Sequence, residues 1–190
     1  MNKILYLSRH GESEYNILKR IGGNSNITAN GEKYAKKIYD YFQNEDLDIY
    51  TSKLNRTIQT AKYFSNTLEF ENLNEINSGI FDGYTYEEIK QKNPEEFNKR
   101  KLDKYNYKYP NGESYKELKN RVKPVMDIIK NNTQNALIIC HQAVLRVIYS
   151  YFIPIDNKDI PYFDVPLNTI FKINISENNV EQVNINIGVL

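Results

Sequence analysis

The chain has 190 residues, 40% of them hydrophobic, and a net charge of +1. That length fits one domain, residues 1–190, with a substantial core. A near-neutral balance offers no broad basic face to nucleic acid, and no apolar run approaches membrane-spanning length. The lone cysteine, Cys140, rules out an internal disulfide framework, and with only two histidines the chain is poorly equipped for a His/Cys zinc site.

In chain order, Lys3 to Ser8 reads as a buried strand, and no leader precedes it. With the single cysteine this gives the expectation of a reducing, cytoplasmic setting. Arg20 to Ser25 is a Gly-rich loop. Thr28 is placed to cap a helix through Tyr34, Ala35, Ile38 and Phe42. A strand is expected over Asp48 to Thr51, then a helix from Asn55 to Ser65 with Ile58, Ala61 and Tyr63 or Phe64 facing inward. A short strand near Leu73 leads into Glu75 to Gly79. Thr85 and Glu88 form a capping box that opens a helix to about Asn93. Pro94 to Asn111 is polar, tyrosine-rich and weakly periodic, and reads as a lid or excursion. Ser114 and Glu117 form a second capping box, ahead of a helix with Leu118, Val122, Val125 and Ile129 on its apolar face. Pro124 is expected to kink that helix or mark its start. Strand Ala136 to Cys140, a helix from Ala143 to Phe152, and a hairpin of Thr169 to Ile175 with Val180 to Ile187, turning at Asn178-Asn179, complete the chain. Strands alternating with helices predict an α/β three-layer sandwich with a mostly parallel central sheet.

Three of these strands end in polar chemistry: Arg9-His10, Thr51-Ser52 leading to Arg56, and His141-Gln142. Ligands of open α/β sheets bind beyond the carboxyl ends of the strands. Both histidines of the chain fall in that slot. An imidazole there can act as a nucleophile beside a guanidinium that grips an anion, and Arg9, Arg56, Asn16 and His141 together suit a phosphate dianion. Glu75 could supply a proton to a leaving oxygen, although sequence alone favours an ordinary loop carboxylate. Composition alone favours reading the charge run around Arg100 and Lys104 as a solvated face; if helical, it puts both cations on one side. Only six arginines, Arg9, Arg20, Arg56, Arg100, Arg121 and Arg146, stand among 25 basic residues. Where lysine is the default cation, arginines can mark sites that need a planar fork of donors.

Leu7-Ser8-Arg9-His10-Gly11-Glu12-Ser13 resembles the signature of the histidine phosphatase superfamily, which includes the phosphoglycerate mutases. Further segments resemble its fructose-2,6-bisphosphatase branch, the phosphatase domain of the bifunctional 6-phosphofructo-2-kinase/fructose-2,6-bisphosphatases. These are Arg20-Ile21-Gly22-Gly23, Arg56 to Ala61, Leu73-Asn74-Glu75-Ile76, Thr85 to Ile89, Pro94 to Phe97, Asp103-Lys104-Tyr105, Tyr109-Pro110, Gly112 to Tyr115 and Ile139 to Val144. They run from about Leu5 to Leu167. The resemblance implies the phosphoglycerate mutase-like fold. It implies that His10 is the nucleophile taking the 2-phosphoryl group and Glu75 the proton donor to the C2 oxygen. Arg9, Asn16, Arg56 and His141 would hold the transferred group. Gly22, Tyr86, Arg100, Lys104, Tyr115, Gln142 and Arg146 would contact the rest of a sugar bisphosphate, including its 6-phosphate.

Those roles imply a neutral His10 whose second nitrogen donates to a backbone carbonyl, with surrounding cations holding its pKa down. They imply no metal and no cofactor, because arginines neutralise the phosphoryl charge. Two features depart from the branch. No kinase half or phosphate-binding loop is present, so bifunctionality is not expected. Ile80-Phe81-Asp82-Gly83, beside Glu75, looks more like general phosphatase and mutase members. The leading expectation is therefore hydrolysis of fructose 2,6-bisphosphate to fructose 6-phosphate and phosphate. The alternatives are a broad sugar-phosphate phosphatase or phosphoglycerate mutase, and a catalytically silent sugar-phosphate-binding protein.

Overall fold

The computed structural model describes residues 3–177 and 179–188. The elements are β1 (Ile4–Arg9), α1 (Glu14–Ile17), α2 (Ala29–Phe42), β2 (Asp48–Thr51), α3 (Asn55–Ala61), β3 (Thr67–Glu69), α4 (Tyr86–Lys92), α5 (Pro94–Leu102), α6 (Tyr115–Asn131), β4 (Ala136–Cys140), α7 (Gln142–Tyr149), β5 (Thr169–Asn174) and β6 (Asn179–Asn184). Single 3-10 turns lie at Glu71–Leu73, Gly79–Phe81 and Ile160–Tyr162.

The strands form one six-stranded sheet in the order β3-β2-β4-β1-β5-β6. β3, β2, β4 and β1 run parallel, while β5 is antiparallel to β1 and β6 to β5. Alternation along the central strands builds the layers, because successive side chains point to opposite faces. Leu5, Leu7, Ala136, Ile138 and Cys140 face α6 and α7, packing on Leu118, Val122, Val125, Met126 and Val144. Tyr6, Leu137 and Ile139 face α2, packing on Tyr34, Ile38 and Phe42. All five residues of β4 are buried, as a strand covered on both faces must be. This is the expected three-layer α/β sandwich. Among the described residues no helix is long and apolar enough to cross a membrane.

Several local expectations are corrected. The short strand lies at Thr67–Glu69 rather than near Leu73, which reaches the core from a 3-10 turn with no exposure. α3 stops at Ala61, and Ile58 is exposed while Arg56, Thr57, Thr60 and Ala61 are buried. The inward face of α3 is thus largely polar, which an apolar pattern cannot reveal. Pro94–Leu102 is helical, with Pro94 in the first turn, Glu95 and Glu96 near its start and Lys99, Arg100 and Lys101 near its end. These charges complement the helix dipole. Because α5 buries none of its residues, it carries no apolar period. It ends before Lys104, so Arg100 and Lys104 do not share a helical face. Pro124 lies inside α6 on its exposed side and does not start it; the start is the Ser114/Glu117 capping box. β5 and β6 form the expected antiparallel pair, and Asn178 of the anticipated turn lies outside the described residues.

Candidate active site

The carboxyl ends of β1, β2 and β4 converge. His10, just past β1, donates its backbone N–H to the Cys140 carbonyl at 3.0 Å, so the two histidine-bearing strand ends stay in register. The His10 and His141 ring centroids are 5.3 Å apart. Gly11 approaches the start of α2 so closely that a β-carbon there would lie 2.5 Å from the Gly31 carbonyl oxygen. Only glycine lets the chain turn here.

His10 is 3% exposed, and its Nδ1 lies 2.7 Å from the Gly11 carbonyl. A carbonyl accepts only, so Nδ1 carries the proton and the Nε2 lone pair is left for chemistry. Burial, then Arg56 and Arg9, hold the His10 pKa well below the ordinary histidine value. The direction is that implied by the resemblance, but desolvation rather than the cations is the larger cause.

Arg9 donates through one terminal nitrogen to the Val165 carbonyl at 3.0 Å, while its Nε is buried without a partner among the described residues. An orphaned buried donor costs about 1–3 kcal/mol, so this guanidinium is built to meet an acceptor. Burial lowers its pKa to about 10, which leaves it charged at neutral pH. Arg56 is 4% exposed; it donates to the Gly23 carbonyl at 2.8 Å and from Nε to His141 Nδ1 at 3.2 Å. Asn16 sits in α1, whose capping box pairs it with Ser13. Its side-chain oxygen accepts from Ser13, which leaves the NH2 as the donating end.

His141 has no exposure and lies beneath the cavity rather than on its wall. Its Nε2 is 2.8 Å from Ser52 Oγ, Ser52 Oγ is 2.7 Å from Thr57 Oγ1, and Thr57 donates to the Leu54 carbonyl at 2.8 Å. Arg56 can only donate and a carbonyl can only accept, so the ends fix the polarity of the whole chain. His141 carries its proton on Nε2 and accepts on Nδ1. Burial, with Arg56 next, keeps its pKa well below the ordinary value.

These groups open into a cavity of about 280 Å³ lined by Arg9, His10, Asn16, Gly22, Arg56, Glu75, Tyr86, Arg100, Lys104, Tyr115, Gln142 and Arg146. Of the residues singled out in the sequence, His141 alone is not on its surface. On the same lining, Arg100 donates to the hydroxyls of Tyr109 and Tyr86, each at 2.8 Å. Lys104 donates to the Pro161 carbonyl at 2.9 Å, and Arg146 to the Phe163 carbonyl at 2.6 Å and Tyr115 hydroxyl at 3.1 Å. Desolvation, then Arg100 and Arg146, lower the Lys104 pKa to about 7. Gly22 takes φ +72°, and a β-carbon there would lie 1.7 Å from the Asp82 carboxylate.

A match to the histidine phosphatase superfamily (branch 1) covers residues 5–188. The chain belongs to this superfamily. It is 43% identical over 176 residues to a fructose-2,6-bisphosphatase of Saccharomyces cerevisiae, covering 90% of this chain and 39% of the relative. It is 43% identical over 173 residues to human 6-phosphofructo-2-kinase/fructose-2,6-bisphosphatase 1, covering 89% and 36%. The chain thus spans well under half the length of these curated relatives. An alpha-ribazole phosphatase structure from Shigella flexneri shares the fold, with a TM-score of 0.82 at 23% identity over 98% of this chain and 99% of that one.

Other cavity residues of this superfamily member escaped the sequence reading. Ser13, Tyr15, Arg20, Ser78 and Tyr109 line the cavity. Arg20 and Tyr109 stood inside quoted motif segments and were given no role. Arg20 is held by the Gly83 carbonyl and by Glu88. Ser13 was missed because its capping box uses Asn16 in place of the usual Glu or Gln. Among the described residues no group of three His, Cys, Asp or Glu side chains is arranged to hold a metal ion.

Proposed function

We propose that the chain hydrolyses the 2-phosphate of fructose 2,6-bisphosphate through a phosphohistidine on His10. The observation that carries this reading is that two groups of cations line one cavity. Arg9 and Arg56 act on His10, and Arg100 and Arg146 act on Lys104, with Arg100 tied to the hydroxyls of Tyr109 and Tyr86. A bisphosphate with one reacting and one anchored phosphate matches that layout. The named activities of the relatives support it as well.

In this reading the His10 Nε2 lone pair attacks phosphorus as the bond from phosphorus to the C2 oxygen breaks. Glu75 gives that oxygen its proton. Arg9, Arg56 and the Asn16 amide stabilise the equatorial phosphoryl oxygens, and His141 acts through Arg56, whose guanidinium it orients. Water then attacks phosphorus, its proton passes to the Glu75 carboxylate, and the N–P electron pair returns to Nε2. Ile80 to Gly83 do not line the cavity, so the departure noted there does not touch the substrate in this reading. The buried lone Cys140 fits a cytoplasmic setting.

The test is brief incubation with substrate labelled in the 2-phosphate, alongside a panel of fructose 1,6-bisphosphate, 3-phosphoglycerate, 2,3-bisphosphoglycerate and p-nitrophenyl phosphate. An acid-labile phosphoprotein that is absent from His10→Ala, with fructose 2,6-bisphosphate the best substrate, is expected. Label retained by His10→Ala would overturn the nucleophile. Equal rates across the panel would support the broad phosphatase instead.

A further inference from the structure

Arg121 is the one arginine that neither lines the cavity nor received a role. It lies on α6, one turn from the core residue Leu118, and its donors all go to one place. Nε and one terminal nitrogen form a fork on the Glu113 carboxylate at 3.1 and 2.7 Å. The terminal nitrogens also donate to the Asn72 carbonyl at 2.8 Å and the Asn74 carbonyl at 2.9 Å, with a longer contact of 3.4 Å to the carbonyl of Glu75 itself. Asn72 returns a bond from its side-chain nitrogen to the Arg121 carbonyl at 2.8 Å. Glu113 closes the far side, accepting from the Asn77 N–H at 2.9 Å.

The chain is therefore pinned on both sides of Glu75 by one ion pair whose side chains are 26% and 14% exposed. This is more than a surface salt bridge, which contributes little. The same guanidinium donates to the backbone carbonyls of Glu71, Asn72, Asn74 and Glu75, and only a planar fork can reach several backbone sites and a carboxylate together. Glu75 has little else to fix it; its carboxylate accepts from its neighbour's N–H, at Ile76, at 2.9 Å. We propose that Arg121, with Glu113, is a positioning residue that sets the Glu75 carboxyl against the leaving oxygen. The proposal rests on Glu75 being the proton donor.

The readout separates positioning from a general tie in the fold. Departure of a sugar oxygen needs a proton, whereas departure of p-nitrophenolate needs little help. Misplacing a catalytic group by about 1 Å can cost on the order of 100-fold. Arg121→Lys should therefore lower the ratio of the single-turnover rate of phosphoenzyme formation from fructose 2,6-bisphosphate to that from p-nitrophenyl phosphate by ~10-fold or more, the later hydrolysis of the phosphohistidine being common to both substrates, with KM for the bisphosphate changed less than this rate. Placed in a Glu75→Gln background, it should lower that ratio no further. Glu113→Gln, which turns an NH2 toward the guanidinium, provides a second variant under the same criterion should Arg121→Lys melt early. Equal loss on both substrates, or a full additional loss in the Glu75→Gln background, would overturn the positioning role while leaving Glu75 as the donor. A Glu75→Gln protein that itself treats both substrates alike would overturn the donor assignment and the proposal with it.

Discussion

The Lys104 ammonium should make binding of a bisphosphate depend on pH in a defined window. With its pKa at about 7 in the free protein, Lys104 is half neutral near pH 7 and largely neutral at pH 9. Each unit of phosphate charge about 4 Å away is worth ~4 kcal/mol at an effective dielectric of 20, or ~3 pKa units, so in the complex Lys104 should stay protonated to at least about pH 10. The complex then binds more protons than its separated components between pH 7 and 10, and affinity must fall as pH rises through that range. With the complex fully protonated, Kd scales as 1 + 10^(pH − 7), which gives a weakening of about 50-fold, ~2.3 kcal/mol, from pH 7 to 9. The phosphate's own second ionisation, near pH 6, lies below this window.

His10→Ala, which should not turn substrate over, allows the measurement by calorimetry with fructose 2,6-bisphosphate at constant ionic strength. About half a proton should be taken up per binding event at pH 7 and nearly one at pH 8.5. Lys104→Arg keeps a cation that does not titrate and can still face the Tyr162 ring, which lies 4.7 Å from the lysine nitrogen. It should flatten the profile. A flat profile with Lys104 present, or an unchanged slope in Lys104→Arg, would refute the reasoning.

Three other outcomes follow from the same geometry. Thr57→Val removes the acceptor of the Ser52 hydroxyl and should cost ~1–3 kcal/mol in a urea titration, whereas Thr57→Ser should cost little. With two histidines in the chain, 15N spectra can be assigned directly, and His141 should keep its proton on Nε2 without gaining a second as the pH falls through the ordinary histidine range. Arg100→Ala should lower kcat/KM for the bisphosphate by ~10-fold or more, given charge-assisted phosphate bonds, with a much smaller change on p-nitrophenyl phosphate.

The sheet was legible because β4 and β1 are continuous apolar runs and β2 sits between clear helix signals. The cavity was legible because polar groups at the ends of those strands must converge. What stayed hidden has a common physical cause. Ile58 was assigned inward because apolar periodicity assumes an apolar core, yet α3 turns Arg56, Thr57 and Thr60 inward to serve the site. α5 was left without structure because it buries nothing, although its Pro94 start and charge gradient were present. Lys104 reaches the cavity by the turn after α5, so its i+4 spacing from Arg100 suggested the right neighbours for the wrong reason. The Ser52-Thr57-His141 chain is invisible in sequence because a serine and a threonine at a helix start already have a local use in capping.

The division of labour among the cations explains why so few arginines persist in a lysine-rich chain. Arg9, Arg56, Arg100 and Arg146 each spend one or two donors on protein acceptors and keep others for the cavity. A flexible ammonium cannot do both with a fixed orientation. Arg20, on the cavity wall, spends its donors on the Gly83 carbonyl and Glu88, while Arg121 spends its own on the segment that carries Glu75. Lysine serves at a single cavity position, Lys104, where one backbone carbonyl holds it and burial, then two guanidiniums, press its pKa toward neutrality. A guanidinium there would stay charged at every physiological pH, so lysine at this position would let proton uptake accompany binding of a second phosphate in the proposed reading.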